Sequence, residues 1–127
     1  MKKTWTIYFF ILLFSSSIYC LGQTSPEGEK YFNTALDFLQ KKQYQKAIDN
    51  FTLSLKYIPT GENIYFLRGQ ARFEQRNYSL ALADYNMAIS LRKEVAVFYN
   101  ARAWTRCFTG DYVNATIDAD KAITLEK

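Results

Sequence analysis

The sequence contains no histidine among its 127 residues. Histidine is the commonest general base in enzymes and the commonest neutral metal ligand, so its absence removes the simplest route to either kind of site. Glycine occurs five times and cysteine twice, and they form no phosphate-binding loop, nucleophile elbow or metal-ligating cluster. The sequence therefore proposes no active site. We expect a non-catalytic protein with no cofactor, no metal and no small-molecule substrate.

Cysteine is also too scarce for a disulfide framework. Cys20 lies in an apolar N-terminal segment, which leaves Cys107 as the only cysteine of the remaining chain. A single thiol cannot form an intramolecular disulfide, although the compartment of an exported protein would allow one. Because Cys107 stands among apolar residues, we expect a buried, unreactive thiol.

Residues 1–22 have the layout of a secretory signal peptide. Two lysines give a basic start, and an apolar run at 5–14 then gives way to smaller and more polar residues. The run is too short to span a bilayer, which needs about 20 apolar residues. We expect cleavage after Gly22, a new N-terminus at Gln23, and export to the periplasm or surface of a bacterial cell. A short linker is predicted at 23–27.

A second interpretation of this segment is a lipid anchor at Cys20, since a cysteine near the end of a signal is the attachment residue of bacterial lipoproteins. Such sites resemble Leu-x-small-Cys, whereas the bulky Tyr19 precedes Cys20 here. So loose a motif has many false matches. The sequence favours an ordinary signal peptide and leaves the membrane-anchored protein as the alternative.

The positive net charge does not indicate a nucleic-acid partner. Without the first 22 residues, Lys plus Arg falls from 16 to 14 while Asp plus Glu stays at 12, so the net charge falls from +4 to +2. The basic residues also form no clustered stripe, which is the usual footprint of nucleic-acid binding. We therefore expect a protein or peptide partner and no nucleic acid.

A pattern of aromatic and small residues recurs through the rest of the chain at a spacing of 34 residues. Segments 43–57, 77–91 and 111–125 share it without insertion or deletion, which indicates a repeat array. Five sets of positions fix the register: Tyr31, Tyr65 and Tyr99; Ala35, Gly69 and Ala103; Tyr44, Tyr78 and Tyr112; Ala47, Ala81 and Ala115; Ser54, Ala88 and Ala122.

The small residues in this pattern allow two helices to cross closely, because Ala, Gly or Ser lets their backbones approach. The surrounding Tyr, Phe, Leu and Ile side chains then fill the space to interior density. Each copy therefore predicts two helices, at about 62–75 and 79–92 in the middle copy. Pro59 and Gly61 end the first copy, since proline cannot continue a helix and glycine readily adopts a turn. Polar turns inside the copies are predicted at 42–43, 76–77 and 110–111.

These positions closely resemble the tetratricopeptide repeat, a helix–turn–helix unit of 34 residues. That family has aromatic residues at positions 4, 17 and 24 of the unit, and small residues at positions 8, 20 and 27. Position 24 is Phe51, Tyr85 and, as a departure, Ala119. The resemblance implies an all-α fold, a right-handed α-solenoid of three helix–turn–helix repeats. The implied repeats span 28–61, 62–95 and 96–127.

The resemblance also implies a protein–protein interaction scaffold, in which the first helices line a concave groove for a peptide or helical segment of a partner. The groove so implied is centred on Phe66, Phe73, Trp104 and Phe108. Aromatic anchors are the usual source of binding energy, but helical spacing alone cannot separate such anchors from rings that pack on a neighbouring helix. The predicted groove residues are Phe32, Asn63, Phe66, Gln70, Phe73, Asn100, Trp104 and Phe108.

One subclass of the family grips the C-terminal carboxylate of a peptide with Lys, Arg and Asn side chains. The corresponding positions here are Phe32, Leu36, Leu67, Val97 and Ala101. None of them matches, so the resemblance does not extend to a carboxylate clamp.

Two charged positions change together between the copies. Arg68 accompanies Asp84 and Arg102 accompanies Asp118, whereas the first copy has Thr34 and Asn50 at the same two positions. We predict that each arginine pairs with one of these aspartates, joining first helix to second or one repeat to the next. Such a partly buried pair would mostly fix geometry.

The third repeat stops at Lys127, where the family usually adds a polar capping helix. We therefore expect Ile117, Ala119 and Ile123 on an incompletely covered end. Self-association through this end, a longer array and a tolerated open end are the three explanations. Besides the exported scaffold, the alternatives are a lipid-anchored envelope assembly factor and a regulatory or sensory segment of a larger protein.

Overall fold

The computed structural model describes residues 25–127, which form six α-helices and no strand. The predicted signal peptide, the cleavage site after Gly22 and the candidate lipid-attachment residue Cys20 lie outside this range. Within 25–127, no helix is both long and apolar enough to cross a membrane. The helices are α1 (Pro26–Gln40), α2 (Tyr44–Tyr57), α3 (Glu62–Glu74), α4 (Tyr78–Leu91), α5 (Ala96–Phe108) and α6 (Tyr112–Glu126).

The helices pack in chain order as three pairs, α1 with α2, α3 with α4, and α5 with α6. Successive pairs are joined by the contacts of α2 with α3 and of α4 with α5, and α3 also touches α5. This arrangement is the predicted all-α stack of helix–turn–helix units. In the middle unit the helices end within a residue of the bounds expected from the sequence.

The first helix begins earlier than the sequence analysis predicted. Pro26 and Glu27 are helical, although they fall inside the predicted linker 23–27. Proline suits the first position of a helix, since its fixed φ is already helical and its missing N–H has no partner to lose. The side chain of Ser25 caps the helix by accepting a hydrogen bond from the backbone N–H of Gly28.

The turns inside the three repeats have one shared geometry. Lys42, Arg76 and Gly110 occupy equivalent positions with φ of 56°, 62° and 79°. In each turn, the next residue donates its N–H to a carbonyl five residues back, for example Gln43 to Phe38 and Asn77 to Arg72. This left-handed ending satisfies the last carbonyls of the first helix. The turns therefore lie where the polar pairs of the sequence predicted them.

The small residues lie where the helices approach most closely. Ala35, Ala47 and Ala81 have no exposed surface, and Ala88 is equally buried. Around them, one cluster joins the first two repeats through residues such as Phe51. A second joins the last two repeats: its buried members are Ala88, Ile89, Phe98, Tyr99 and Ala122. The core thus runs along the stack between helix pairs.

The last helix is covered on one side only. Ile117 is 59% exposed and Ile123 is 54% exposed, as expected for residues at the end of the stack that residues 25–127 form, while Ala119 is half-buried. Tyr112 differs from the structural role predicted for it, because its ring is 67% exposed. The equivalent Tyr78 packs on Phe108 of the following repeat, and no described helix follows α6 to do the same.

We predict that Gly69→Ala destabilises the protein although alanine is the better helix former. A Cβ at Gly69 would lie 2.7 Å from Cε1 of Tyr85 and 3.2 Å from Cβ of Asp84. Both neighbours are buried and cannot withdraw, so overpacking of ~1–3 kcal/mol exceeds the propensity gain of about 1 kcal/mol. Urea denaturation followed by circular dichroism measures the net loss.

The exposed Ala83 of α4 provides the control, since Ala83→Gly reports helix propensity without a packing term. It should lower the free energy of unfolding by about 1 kcal/mol. A Gly69→Ala protein that is more stable than the wild type would contradict the close approach of α3 and α4.

Candidate functional site

The first helices of the repeats surround a concave groove of about 720 Å³. Most of its lining comes from α3 and α5, and the end of α1 closes one side. Two tyrosines from second helices, Tyr44 and Tyr85, also reach it. The lining residues are Leu39, Gln40, Lys42, Tyr44, Phe66, Gln70, Phe73, Glu74, Tyr85, Val97, Asn100, Ala101, Trp104 and Thr105.

Aromatic rings form one wall of this groove. The ring of Phe73 lies 5.3 Å from that of Phe108 in an edge-to-face arrangement, and Trp104 lies 5.6 Å from Phe108 in the same manner. Trp104 is nonetheless 61% exposed. Rings at these separations support one another, so Trp104 is held by its neighbours while its surface stays available to a ligand.

Phe66 belongs both to the groove and to the core. Its ring centroid lies 5.1 Å from Phe98 and 5.9 Å from Tyr85. Tyr85 itself is only 2% exposed and forms the floor beneath Phe66. Burial raises the pKa of the Tyr85 hydroxyl above its ordinary value, so the ring is neutral at physiological pH. This part of the groove is therefore uncharged and continuous with the core.

Polar side chains complete the lining. Gln70 and Asn100 stand on neighbouring first helices, and neither amide is hydrogen-bonded to another group of residues 25–127. Each amide carries two donors and an acceptor, which matches the needs of an extended or helical peptide backbone. Lys42 and Glu74 add one charge of each sign.

Of the predicted groove residues, Phe66, Gln70, Phe73, Asn100 and Trp104 line the groove together. The other three, Phe32, Asn63 and Phe108, lie outside it.

Phe32 packs on Phe51, with ring centroids 6.0 Å apart, and joins the core between the first two repeats. Asn63 is exposed to solvent. Phe108 stands beside the groove, stacked on Tyr78 and supporting Trp104.

Several lining residues are not predicted by the sequence. Tyr44 and Tyr85 recur as packing residues of second helices, and Thr105 lies at a register position that the family resemblance does not assign to the groove. Ala101 lies at one of the carboxylate-clamp positions, where its methyl side chain matches no clamp residue. Lys42 belongs to a turn and had no signal. The two tyrosines were recognisable as recurring aromatics, but nothing in the spacing shows that their rings extend to the groove.

The prediction of a buried Cys107 is wrong, because this thiol is exposed and free. The equivalent position in the second repeat is Phe73, which is covered by Phe108 of the next first helix. No described helix follows to cover Cys107 in that way. Its apolar neighbours in the sequence point to other sides of α5.

Two buried aspartates hold the helix pairs together. Arg68 donates to both carboxylate oxygens of Asp84, at 3.0 Å from Nε and 2.7 Å from Nη2. Arg102 binds Asp118 in the same manner, at 2.8 Å and 2.6 Å. The predicted pairing is therefore present, and it links the first and second helices of one repeat.

A second arginine binds each carboxylate. Arg72 lies 2.8 Å from Oδ2 of Asp84, and Arg106 contacts Asp118 equivalently. Burial lowers the pKa of Arg72, and the charge of Asp84 opposes that shift. The sequence also indicates this second arginine. Arg72 and Arg106 occur in the repeats that have Asp84 and Asp118, whereas the first repeat, which lacks the aspartate, has Phe38 at the same position.

The first arginine of each cluster also joins successive repeats. Nη1 of Arg68 donates to the hydroxyl of Thr52 at 3.1 Å, and Nη1 of Arg102 donates to the amide oxygen of Asn86 at 2.8 Å. Thr52 and Asn86 occupy the same position of the preceding second helices. One guanidinium thus fixes both the geometry within a repeat and its stacking on the repeat before it.

Comparison with known proteins identifies this fold as that of tetratricopeptide-repeat domains. No protein-family model matches the sequence, and no curated protein matches it significantly. Solved structures do match in their fold, at sequence identities that show the fold alone.

Three such structures are similar in size and shape. The first TPR of Spaghetti (RPAP3), bound to HSP90 peptide SRMEEVD, has a TM-score of 0.77 and 22% identity, covering 80% of this chain and 81% of its own. The TPR2B domain of yeast Sti1, in a complex with pHsp70, has a TM-score of 0.78 and 22% identity, covering 80% of this chain and 82% of its own. The Sgt2 TPR domain from Aspergillus fumigatus has a TM-score of 0.75 and 24% identity, covering 80% of this chain and 68% of its own.

We predict that Asp84→Asn costs about 3 kcal/mol of unfolding free energy. The Asp84 side chain is 3% exposed and those of Arg68 and Arg72 are 13% and 16% exposed. Removing the carboxylate charge leaves two partly buried guanidinium groups without compensation. Urea denaturation at neutral pH gives the difference.

Asp37→Asn is the matched control, because Asp37 pairs with Lys41 at 2.7 Å but both side chains are more than half exposed. This variant should lose less than about 0.5 kcal/mol. Equal losses in the two variants would show that the buried cluster contributes no more than a surface ion pair.

Proposed function

We propose that this protein is an exported, non-catalytic interaction scaffold that binds a peptide or helical segment of a partner protein in its concave groove. The main observation behind this proposal is the exposure and packing of the Trp104 ring. A large ring that is 61% exposed, packed on Phe108 and set beside the amides of Gln70 and Asn100, has the properties of a binding anchor.

The similar solved structures support a peptide as the ligand. One of them is bound to an HSP90 peptide and another is a complex with pHsp70. The groove of this chain is long enough to include residues from all three repeats. A peptide lying across it would touch the rings of Phe73 and Trp104 and could pair its backbone with Gln70 and Asn100.

We infer that binding does not require the C-terminal carboxylate of the peptide. The positions that would hold clamping cations and amides are Phe32, Leu36, Leu67, Val97 and Ala101, and none can bind a carboxylate. Among residues 25–127, Lys42 is the only basic residue in the lining. Affinity should therefore come from apolar side chains of an internal segment, which bury surface against the aromatic wall.

We predict that peptides selected from a display library of random 12-residue segments bind through Trp104. Trp104→Ala should weaken a selected peptide by about 2 kcal/mol, roughly thirtyfold, because anchor rings dominate such interfaces. Fluorescence anisotropy with labelled peptide measures the dissociation constant. The unfolding free energy should change by less than about 0.5 kcal/mol, since the ring is largely exposed.

Tyr112→Ala supplies the control, because Tyr112 is an exposed ring of similar size away from the groove. It should leave peptide affinity unchanged. Amidating the peptide C-terminus should also leave it unchanged. Selected peptides that ignore Trp104, or that lose affinity on amidation, would contradict the proposed site or its chemistry. Phe66→Ala is unsuitable as the main test, since this ring also packs in the core.

Export is the second part of the proposal and rests on the sequence of residues 1–22. We predict that the protein expressed in a bacterium matures with Gln23, or its pyroglutamate, at the N-terminus. Intact-mass and peptide mass spectrometry of the secreted or periplasmic fraction read this directly. A diacylated Cys20 would instead identify the lipid-anchored envelope factor, and an uncleaved Met1 in the cytoplasm would refute export.

A further inference from the structure

We propose a second docking surface, the outer face of α6 formed by Tyr112, Ala119, Asp120 and Ile123. Its occupant is an amphipathic helix of another protein that carries an aromatic residue and, three residues later, an arginine. The surface lies on a second helix, apart from the concave groove, and does not depend on the proposed peptide ligand.

The apolar part of this face is built like two faces that are already covered. Leu55 of α2 and Ile89 of α4 occupy the same repeat position as Ile123 and are each only 9% exposed, because α3 and α5 pack on them. Ile123 is 54% exposed. The face of α6 is therefore the equivalent of a surface that elsewhere in this molecule receives a helix.

Asp120 indicates which helix would fit. It occupies the position of Thr52 and Asn86, the side chains that accept a hydrogen bond from Arg68 and Arg102 of the following repeat. Its own carboxylate makes no ion pair with any residue between 25 and 127. A carboxylate at this position accepts from a guanidinium more strongly than a hydroxyl or an amide does.

The covered faces also define the pattern of the occupant. In α3 and α5 the arginine follows a tyrosine by three residues, as Tyr65 with Arg68 and Tyr99 with Arg102. Each guanidinium carbon lies 5.5 Å from the centroid of that tyrosine ring. The ring covers the apolar residue of the second helix while the guanidinium reaches the acceptor beside it. An occupant of α6 needs the same two groups in the same register.

A second copy of this chain stacked head to tail does not meet that requirement. The residues of α1 that correspond to Ile64, Leu67 and Ala71 of α3 are Lys30, Asn33 and Asp37, all exposed. The equivalent of Arg68 is Thr34, whose hydroxyl already donates to the carbonyl of Lys30. The outer face of α1 is thus polar, and its cation Lys30 stands at the position of Ile64 rather than at that of Arg68, the residue whose equivalent would meet Asp120.

A symmetric pairing of two α6 helices is disfavoured by charge. In a two-fold contact between antiparallel helices, a residue near the middle of the helix meets its own counterpart. Asp120 lies beside the middle of Tyr112–Glu126. Two carboxylates would then face each other across an apolar surface, and their repulsion opposes the contact. A helix from a different protein that carries an arginine would supply the guanidinium that α1 lacks, and it would avoid the repulsion between two Asp120 carboxylates.

The test uses a lactam-bridged helical peptide that displays the contacting side chains of α3, namely Ile64, Tyr65, Leu67, Arg68 and Ala71, with Ala, Glu and Lys elsewhere. The bridge is needed because an isolated helix of this length is marginal in water. Anisotropy titration should show saturable binding to the wild-type chain. Ile123→Asp should abolish it, and Asp120→Lys should weaken it about tenfold.

A charge exchange makes the test specific. A peptide with glutamate in place of its arginine should bind the wild-type protein about tenfold more weakly than the original peptide does. The same glutamate peptide should bind the Asp120→Lys protein about tenfold more tightly than it binds the wild type. Trp104→Ala should leave this peptide's affinity unchanged, so failure here is separable from failure of the groove. Circular dichroism verifies that the exposed substitutions leave the fold intact.

Three outcomes would overturn the proposal. One is absence of saturable peptide binding to the wild type. Another is binding that Ile123→Asp and Asp120→Lys do not affect. The third is a concentration-dependent dimer in sedimentation that Ile123→Asp dissociates, since this would make a second copy of the chain the occupant.

Discussion

The structure depends on the close approach of two helices at one small residue in each pair. Ala35, Gly69 and Ala103 are the first-helix residues at this contact, and a side chain larger than a methyl group at any of them would separate the helices. At Gly69 even a methyl group meets the ring of Tyr85. The helix separation then determines where every neighbouring ring lies, so the core and the groove both follow from this constraint.

The arginine–aspartate clusters add direction to that packing. Apolar contacts between helices tolerate some sliding, whereas a carboxylate held by two guanidinium groups at defined distances does not. Asp84 and Asp118 are almost fully buried, which is unfavourable unless their charge is compensated. The first repeat has no such cluster and has no preceding repeat among residues 25–127 to join. The charged residues therefore fix both the helix pair of their own repeat and its stacking on the repeat before it.

The groove illustrates how one repeat position acquires different roles. Position 5 is Phe32 in the first repeat and Phe66 in the second, yet Phe32 packs on Phe51 in the core while Phe66 contributes its surface to the groove. The same change of environment makes Phe73 a covered ring and Cys107 an exposed thiol. For Phe73 and Cys107, the difference arises because the next repeat supplies Phe108 to cover Phe73, whereas no described residue covers Cys107 in that way.

The amino-acid sequence by itself determined the helical pairs, their order, the turns and the two charged pairs. These features repeat every 34 residues and depend on local or neighbouring contacts, so spacing is enough to reveal them. It also predicted Phe66, Gln70, Phe73, Asn100 and Trp104 at the groove. Only the tertiary structure decided that Phe32 and Phe108 lie elsewhere, that Tyr85 forms the floor, and that Cys107 and Tyr112 face solvent. Exposure depends on which neighbouring helix covers a side chain, and residue spacing along one helix does not contain that information.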